Sequence, residues 1–299
     1  MRRIIIIAAL IVVPLFVFAQ RQQHFRKQLP AGNYSGICAI GNDCFALVDD
    51  KAPTDGFRIV RILFDSDGQR ISTLEDLGYH SSGLPNRDME GICYRPSTNT
   101  LFISGEADNE VYEYTLDAQR TGRRLAMPDN IKRASHNYGL EALTYDAVNH
   151  LFYTTTERPL PGDTLIRLLA FGDNLQLKRE YLYQPDQPLS PKHIYGVSEV
   201  CALSDGRLLV MERQIRVPRL KIGASTLTRI YEVAPGSDEH LQKQLVTEFR
   251  TRLSITSRKF ANFEGLCQVS PSLLLLIADS QNQYKGFLRD WFRLITINQ

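Results

Sequence analysis

Short apolar runs rich in Val, Ile, Leu, Phe and Tyr succeed one another from residue 34 to the end of the chain, each closed by Gly, Pro, Asn or Asp. Runs of this kind predict β-strands, and no stretch repeats apolar residues at helical spacing over several turns. An acidic motif recurs among them: Met89-Glu90-Gly91-Ile92-Cys93-Tyr94, Leu140-Glu141-Ala142-Leu143-Thr144-Tyr145, Ser198-Glu199-Val200-Cys201-Ala202-Leu203 and Phe263-Glu264-Gly265-Leu266-Cys267. Tyr34-Ser35-Gly36-Ile37-Cys38 is a degenerate further copy. A second run follows each copy and ends in an acid: Cys44–Asp49, Leu101–Glu106, Leu151–Glu157, Arg207–Glu212 and Leu274–Asp279. Their period slightly exceeds the roughly 40 to 50 residues of a propeller blade, and long loops absorb the excess.

The fourth repeat shows four strands: Glu199–Leu203, Arg207–Glu212, Leu227–Val233 and Lys243–Phe249, separated by turns such as Ser204-Asp205-Gly206. The last repeat has a third strand, Trp291–Ile297, and then the chain stops. An open ring would leave a bare sheet edge, so the segment around Phe25–Leu29 is the natural donor of the missing strand. These features predict an all-β, five-bladed β-propeller closed by its own N-terminus, or a six-bladed one if a long loop hides another sheet. The single domain spans residues 20–299, and the brief helical stretch at Asp129–Ser135 lies in a loop.

Ahead of the domain, Arg2 and Arg3 precede the apolar run Ile4–Ala19, and Val17-Phe18-Ala19 offers small residues for cleavage. Residues 1–19 therefore read as a signal peptide, with an uncleaved anchor as the alternative. The chain holds 35 Lys and Arg against 33 Asp and Glu, and cleavage would remove both leader arginines and no acid. A mature protein so balanced is not built for nucleic acid or an anionic membrane surface. An exported, periplasmic or extracellular monomer is expected. Cys38, Cys93, Cys201 and Cys267 recur at nearly one place in the repeat and read as small apolar fillers. Only Cys38 and Cys44 could pair.

Consecutive strands run antiparallel, so the start of a first strand and the end of the second meet at one end of a blade. This sets Glu90 beside Glu106, Glu141 beside Glu157, Glu199 beside Glu212, and Glu264 beside Asp279, at one mouth of the channel. Carboxylates so close raise one another's pKa or demand cations, and oxygen-only ligands suit calcium. Each Glu could instead lock neighbouring blades by accepting backbone hydrogen bonds. Arg158 and Arg213 follow Glu157 and Glu212 directly, and Lys285 follows Asp279 closely. His80, Arg87, and His136 and His193 in matching His-x-Tyr-Gly-like approaches, lie in the loops leading to this mouth. Arginine beside metal-bound carboxylates is an arrangement that clamps phosphate. There is no nucleophile elbow, zinc-protease helix motif, Walker loop or dinucleotide fingerprint.

Asp88-Met89-Glu90-Gly91-Ile92, Gly139-Leu140-Glu141-Ala142-Leu143, Val197-Ser198-Glu199-Val200 and Asn262-Phe263-Glu264-Gly265-Leu266 with Ile277-Ala278-Asp279-Ser280 resemble the phytase-like family, also called the esterase-like activity of phytase domain. The resemblance runs from about residue 34 to the C-terminus. It implies an exported bacterial propeller with phosphoesterase-type chemistry, and similarity to propeller phytases implies calcium. Ser35 in place of the first Glu, and Ala142 and Val200 in place of Gly, break the symmetry of the acid ring. The expectation is a calcium-dependent hydrolase of a small phosphorylated or ester substrate. Glu90, Glu141, Glu199 and Glu264 would hold metal; Glu106, Glu157, Glu212 and Asp279 would complete the shell or activate water; Arg158 and Arg213 would receive phosphate. The alternative is a non-catalytic binding propeller of the cell envelope.

Overall fold

The computed structural model describes residues 22–134, 138–219, 221–256 and 258–297, so the leader and His136 lie outside the described residues. Five antiparallel four-stranded sheets form the molecule. The innermost strands are Tyr34–Gly41, Met89–Arg95, Leu140–Asp146, Ile194–Ala202 and Asn262–Ser270, one per blade. Each pairs with a second strand: Cys44–Asp49, Thr100–Gly105, Leu151–Thr156, Leu208–Arg216 and Leu273–Asp279. The second strands are buried almost throughout, which accounts for their continuous apolar runs, whereas outer strands such as Lys243–Arg252 alternate and face water. The helical stretch is a 3-10 turn, Asp129–Arg133. Among the described residues no helix is long and apolar enough to cross a membrane.

Blades pack face to face through apolar clusters, one of which joins Ile37, Leu47 and Val60 of the first blade to Leu275, Ile277 and Phe292 of the last. Near the axis the backbones themselves meet. A Cβ on Gly36 would sit 2.4 Å from the Glu90 carbonyl oxygen, and one on Gly91 would sit 2.5 Å from the Leu143 amide nitrogen. At these two positions the approach of the neighbouring blade therefore requires glycine.

The last sheet is completed by the N-terminus, in the order of the first, last, penultimate and innermost strands. The donated strand is Gln22–His24, pairing with Trp291–Arg293, and not Phe25–Leu29. Phe25–Leu29 instead forms a turn, in which the Gln28 and Leu29 amides donate to the Phe25 carbonyl at 2.9 and 2.7 Å. The apolar character of this turn comes from its packing: Leu29 is buried between the first and last blades and Phe25 stands edge-on to Phe292. An outer strand can be polar, and Gln23 uses its amide to bond both the carbonyl (2.9 Å) and the amide (2.8 Å) of Ile71 in the next blade. The cysteines are all free. Strand pairing sets Cys38 against Ala46 and Cys44 against Gly41, an offset that disulfide geometry does not bridge.

If the short strand closes the ring, deleting residues 22–31 bares the edge of Trp291–Thr296 and cuts the Gln23–Ile71 tie. The truncated protein should aggregate or melt far below the full chain. Unchanged melting of a soluble truncation, followed by circular dichroism, would reject the closure.

Candidate active site

The register of the first two strands decides which side chains reach the channel. In every blade the pairing slips just after the innermost strand enters the sheet: between Tyr34 and Gly36, Met89 and Ile92, Leu140 and Ala142, Val197 and Glu199, and Phe263 and Gly265. Such a bulge re-aims the extra residue. The bulged residues include Ser35, Glu90, Glu141, Ser198 and Glu264, each three positions before a channel-lining residue, Cys38, Cys93, Thr144, Cys201 and Cys267. In the fourth blade the acid position is thus taken by Ser198, and Glu199 occupies the place that Gly36, Gly91 and Gly265 hold elsewhere.

The same register identifies the second ring. Tyr34, Val197 and Phe263 lie opposite Asp49, Glu212 and Ala278. The next residue on the second strand is the one beside the bulge, and it is Asp50, Glu106, Glu157, Arg213 and Asp279 around the ring. The amides of Asp50, Glu106 and Glu157 bond the carbonyls of Asn33, Asp88 and Gly139 at 3.1, 2.8 and 3.1 Å, and Arg213 and Asp279 pair with Gly196 and Asn262. Glu212, one residue earlier, faces away from the mouth. It accepts hydrogen bonds from Tyr183 Oη (2.6 Å), the Asp186 amide (3.0 Å) and Lys243 Nζ (2.6 Å), between the third and fourth blades.

Arg213 is the buried cation of the mouth. Its Nη2 reaches Glu141 at 3.0 Å and Glu157 at 3.4 Å, and its Nη1 meets Asn262 at 3.2 Å and also Glu264. Burial opposes its charge, but Glu141, Glu157, Glu90 and Asp279 outweigh that and raise its pKa. It is a tethered counter-ion and not an outward clamp. Arg158 is the arginine that stays accessible: half-buried, it lies 4.0 Å from the Tyr138 ring centroid and 5.1 Å from that of Tyr195, and its Nε donates to the Tyr195 carbonyl at 2.9 Å. Glu199 lies deeper, accepting hydrogen bonds from the Leu143 amide (3.1 Å) and its own neighbour Val200 (3.0 Å). That is the blade-locking arrangement, and burial pushes its pKa well up.

On the other side of Arg213, Glu90 is buried and makes no hydrogen bond or ion pair among the described residues. Burial raises its pKa well above the usual range, and Glu141, Asp50, Glu106 and Asp88 raise it further. One oxygen each of Asp50, Asp88 and Glu90 lies within 4.8 Å of the others, a spacing that could hold a metal ion. Lys51 bridges Asp50 at 3.0 Å and also Asp88. Asp88 stands in the left-handed region (φ 57°), its amide held by Asn86 Oδ1 at 2.6 Å. Burial pushes Asp50 up to about 6 and Asp279 up to about 7.

Other groups singled out by sequence have local partners. His193 Nδ1 lies 2.8 Å from Ser190 Oγ, His80 stacks on Phe57, Arg87 grips Asp108 at 2.7 and 2.9 Å, and Lys285 is exposed. Sequence reading missed Asp50 and the part of Asp88. The signals were present: Asp50 follows the acid that closes the second run, and Asp88 opens the motif of Glu90.

Asp279 keeps its proton in the folded protein up to about pH 7, whereas the unfolded chain releases it near about pH 4, so stability falls as pH rises through that window. Asp279→Asn should therefore stabilise metal-free protein at pH 8 and not at pH 4, by at most about 1.4 kcal/mol per pKa unit of displacement in denaturant unfolding. Equal effects at both pH values would contradict it. Arg213→Met leaves its carboxylates uncompensated and should cost about 3–5 kcal/mol in denaturant unfolding at pH 8. A loss below about 1 kcal/mol would mean the pairs behave as exposed ones.

The chain matches no curated protein. Among solved structures it is similar to a luciferin-regenerating enzyme (TM-score 0.49, 10% identity, covering 93% of this chain and 95% of that one). It is also similar to streptogramin B lyase (TM-score 0.44, 11% identity, covering 93% and 98%) and to the PQQ-bound aldose sugar dehydrogenase of Streptomyces coelicolor (TM-score 0.41, 12% identity, covering 91% and 82%). The family described as phytase-like, esterase-like activity of phytase, matches residues 29–280. With that match covering most of the chain and every acidic motif, the chain belongs to the phytase-like family.

Proposed function

We propose that the acidic mouth is the active site of a calcium-dependent phosphoester hydrolase. One observation carries the reading: a buried carboxyl group, Glu90, has no hydrogen-bond or ion-pair partner among the described residues while sitting in oxygen range of Asp50 and Asp88. Burial and the neighbouring acids hold Glu90 toward its protonated form, and a cation among the three oxygens would favour the carboxylate. The donors fit a hard cation, being carboxylate oxygens alone. Bound there, calcium would supply Lewis-acid polarisation of a phosphoryl oxygen.

The chain's own residues supply the rest. Arg158 has no hydrogen-bond partner at its Nη groups among the described residues, and its ring contacts with Tyr138 and Tyr195 fix its plane. A planar fork held in this way suits two phosphate oxygens. Asp279, poised near neutrality, can take a proton from water or return one to the leaving alcohol. Glu106, half-buried, accepts a hydrogen bond from the Gly139 amide at 3.1 Å, and with Glu141, Glu157 and Glu264 it maintains the negative field that retains the cation. In this reading Arg213 keeps the fourth-blade side neutral, and Glu199 and Glu212 tie blades together. Export, which residues 1–19 favour, would place the protein where calcium is plentiful and weak sites of about 10⁻⁴–10⁻³ M are filled.

The second reading is a binding propeller, favoured by Arg213 itself, since an internal cation reaches three of the acids and compensates part of their charge without metal.

Calcium at about a hundred times its dissociation constant should stabilise the chelated protein by about 2.7 kcal/mol, and Glu90→Gln should abolish that gain. Arg158→Lys should lower kcat/KM on a generic phosphomonoester at least about tenfold, since charge without the fork is not equivalent. No change in melting on adding calcium would sink the metal site. Calcium binding without phosphate release from mono- or diesters would establish the binding propeller.

A further inference from the structure

Beside the acids lies a cavity of about 480 Å³, lined by Ile194, Ile215, Val217, Ile222, Phe260 and Phe287. Its volume falls in the range of small-molecule sites. Asn262 and Asp279 also line it. Both belong to the mouth: Asn262 bonds Arg213 at 3.2 Å and Glu264 at 2.8 Å, and Asp279 is the fifth-blade member of the second ring. The cavity is therefore continuous with the acidic site. It opens where the innermost and second strands of the fourth blade run past the bulge, Ile194 lying opposite Ile215 beyond the Gly196–Arg213 pair.

Two loops cross its rim and meet. Lys221 Nζ lies 3.8 Å from the centroid of the Tyr284 ring and also donates to its hydroxyl. Tyr284 sits in a run of left-handed residues, Gln281 to Lys285, with φ of 49°, 52°, 55°, 36° and 55°. Non-glycine residues adopt that conformation at a cost, and clamps over ligands are among the places where it is retained. Gln283 holds the run in place, donating to Asp290 at 2.7 Å and accepting from Arg26 at 3.1 Å. Ile222 and Phe287 are 58% and 57% exposed beside this clasp, although apolar.

We propose that this cavity is the apolar subsite of the mouth, so that the substrate is an amphipathic phosphoester with its phosphate at the acids and Arg158 and an alkyl or aryl alcohol in the cavity. The inference rests on the hydrolytic reading of the mouth for the phosphate end. In hydrolysis the bond from phosphorus to the alcohol oxygen breaks, water supplies the new oxygen on phosphorus and one proton to the departing alcohol, and the apolar alcohol leaves through the cavity. Concavity and a polar end formed by active-site residues favour a small molecule over a flat partner surface. Exposed basic residues do border the rim, Lys221 on Tyr284, Arg258 at 5.5 Å from the Phe287 ring and Lys285 beside Tyr284, but a membrane surface would make no use of the polar end formed by Asn262 and Asp279.

The test compares octyl phosphate with ethyl phosphate, below micellar concentration and with calcium, by calorimetry and by phosphate release. Wild type should bind octyl phosphate at least about tenfold more tightly, as a few buried methylenes at about 0.8 kcal/mol each require. Ile222→Asn and Phe287→Ser, both at exposed positions, should each bring octyl phosphate toward the ethyl level. Equal affinity for the two esters in wild type, binding of neither, or a preference intact in both variants would overturn the subsite. A dimer seen by sedimentation and broken by Ile222→Asn, without chain-length preference, would assign the patch to a second copy and also overturn it. Octyl preference lost in the variants but with no phosphate released upholds the subsite and removes the hydrolase. Hydrolysis indifferent to chain length does the reverse.

Discussion

Carboxylates driven into one low-dielectric channel must be compensated, and this constraint organises the molecule. Glu90, Glu141, Glu264, Asp50, Glu106, Glu157 and Asp279 converge because the same bulge recurs in each blade. The compensation is not symmetric. The fourth blade replaces its two acids by Ser198 and Arg213, and Arg213 then reaches Glu141, Glu157 and Glu264 in three other positions of the ring. On the opposite side Glu90 has no such partner, and the charge of Lys51 is shared between Asp50 and Asp88. One half of the mouth is thus partly compensated from within, and the other half relies on burial and on Lys51. An internal arginine in one blade is what allows so many acids to coexist before any ion binds.

The same geometry explains the layering of the channel. Glycine follows the bulged residue where neighbouring innermost strands touch, and Glu199 stands at that level with its carboxylate on the Leu143 amide. Below it come Cys38, Cys93, Cys201 and Cys267, whose thiols burial pushes up and whose proton is held further by the charge of Glu199. Thiols kept protonated are poor nucleophiles and poor metal ligands. The ionisable groups of the channel are therefore concentrated at the acidic end, while the cysteine layer fills space.

Fold and motif were legible because apolar runs and turn residues repeat, and blade architecture follows from that pattern alone. Register was not. Aligning the repeats on their acids sets Glu199 with Glu90 and Glu212 with Glu106, but aligning them on strand pairing sets Ser198 and Arg213 there instead. A one-residue slip turns a side chain to the other face of its strand, so Glu212 was carried out of the mouth and Arg213 into it. The cysteine offset carried the correction in advance: Cys201 is three residues from Ser198, as Cys93 is from Glu90. Closure shows the same limit. Phe25 and Leu29 are apolar because they plug the seam between blades, whereas the pairing strand Gln22–His24 is polar, since hydrogen bonds to an edge need no apolar side chain.

Asymmetry in the ring also orients the site. Where Arg213 neutralises the acids, the wall continues through Asn262 and Asp279 into apolar side chains. Where Glu90 has no partner among the described residues, it continues to the half-buried Asp88. A ligand spanning the mouth would meet the carboxyl groups of Asp50, Asp88 and Glu90 at one end and an apolar cavity at the other, with Arg158 and its two tyrosine rings at the side. A five-fold symmetric acid ring would offer the same surface on every side. The departures from the repeat, Ser35, Ser198 and Arg213, are what give this mouth a direction.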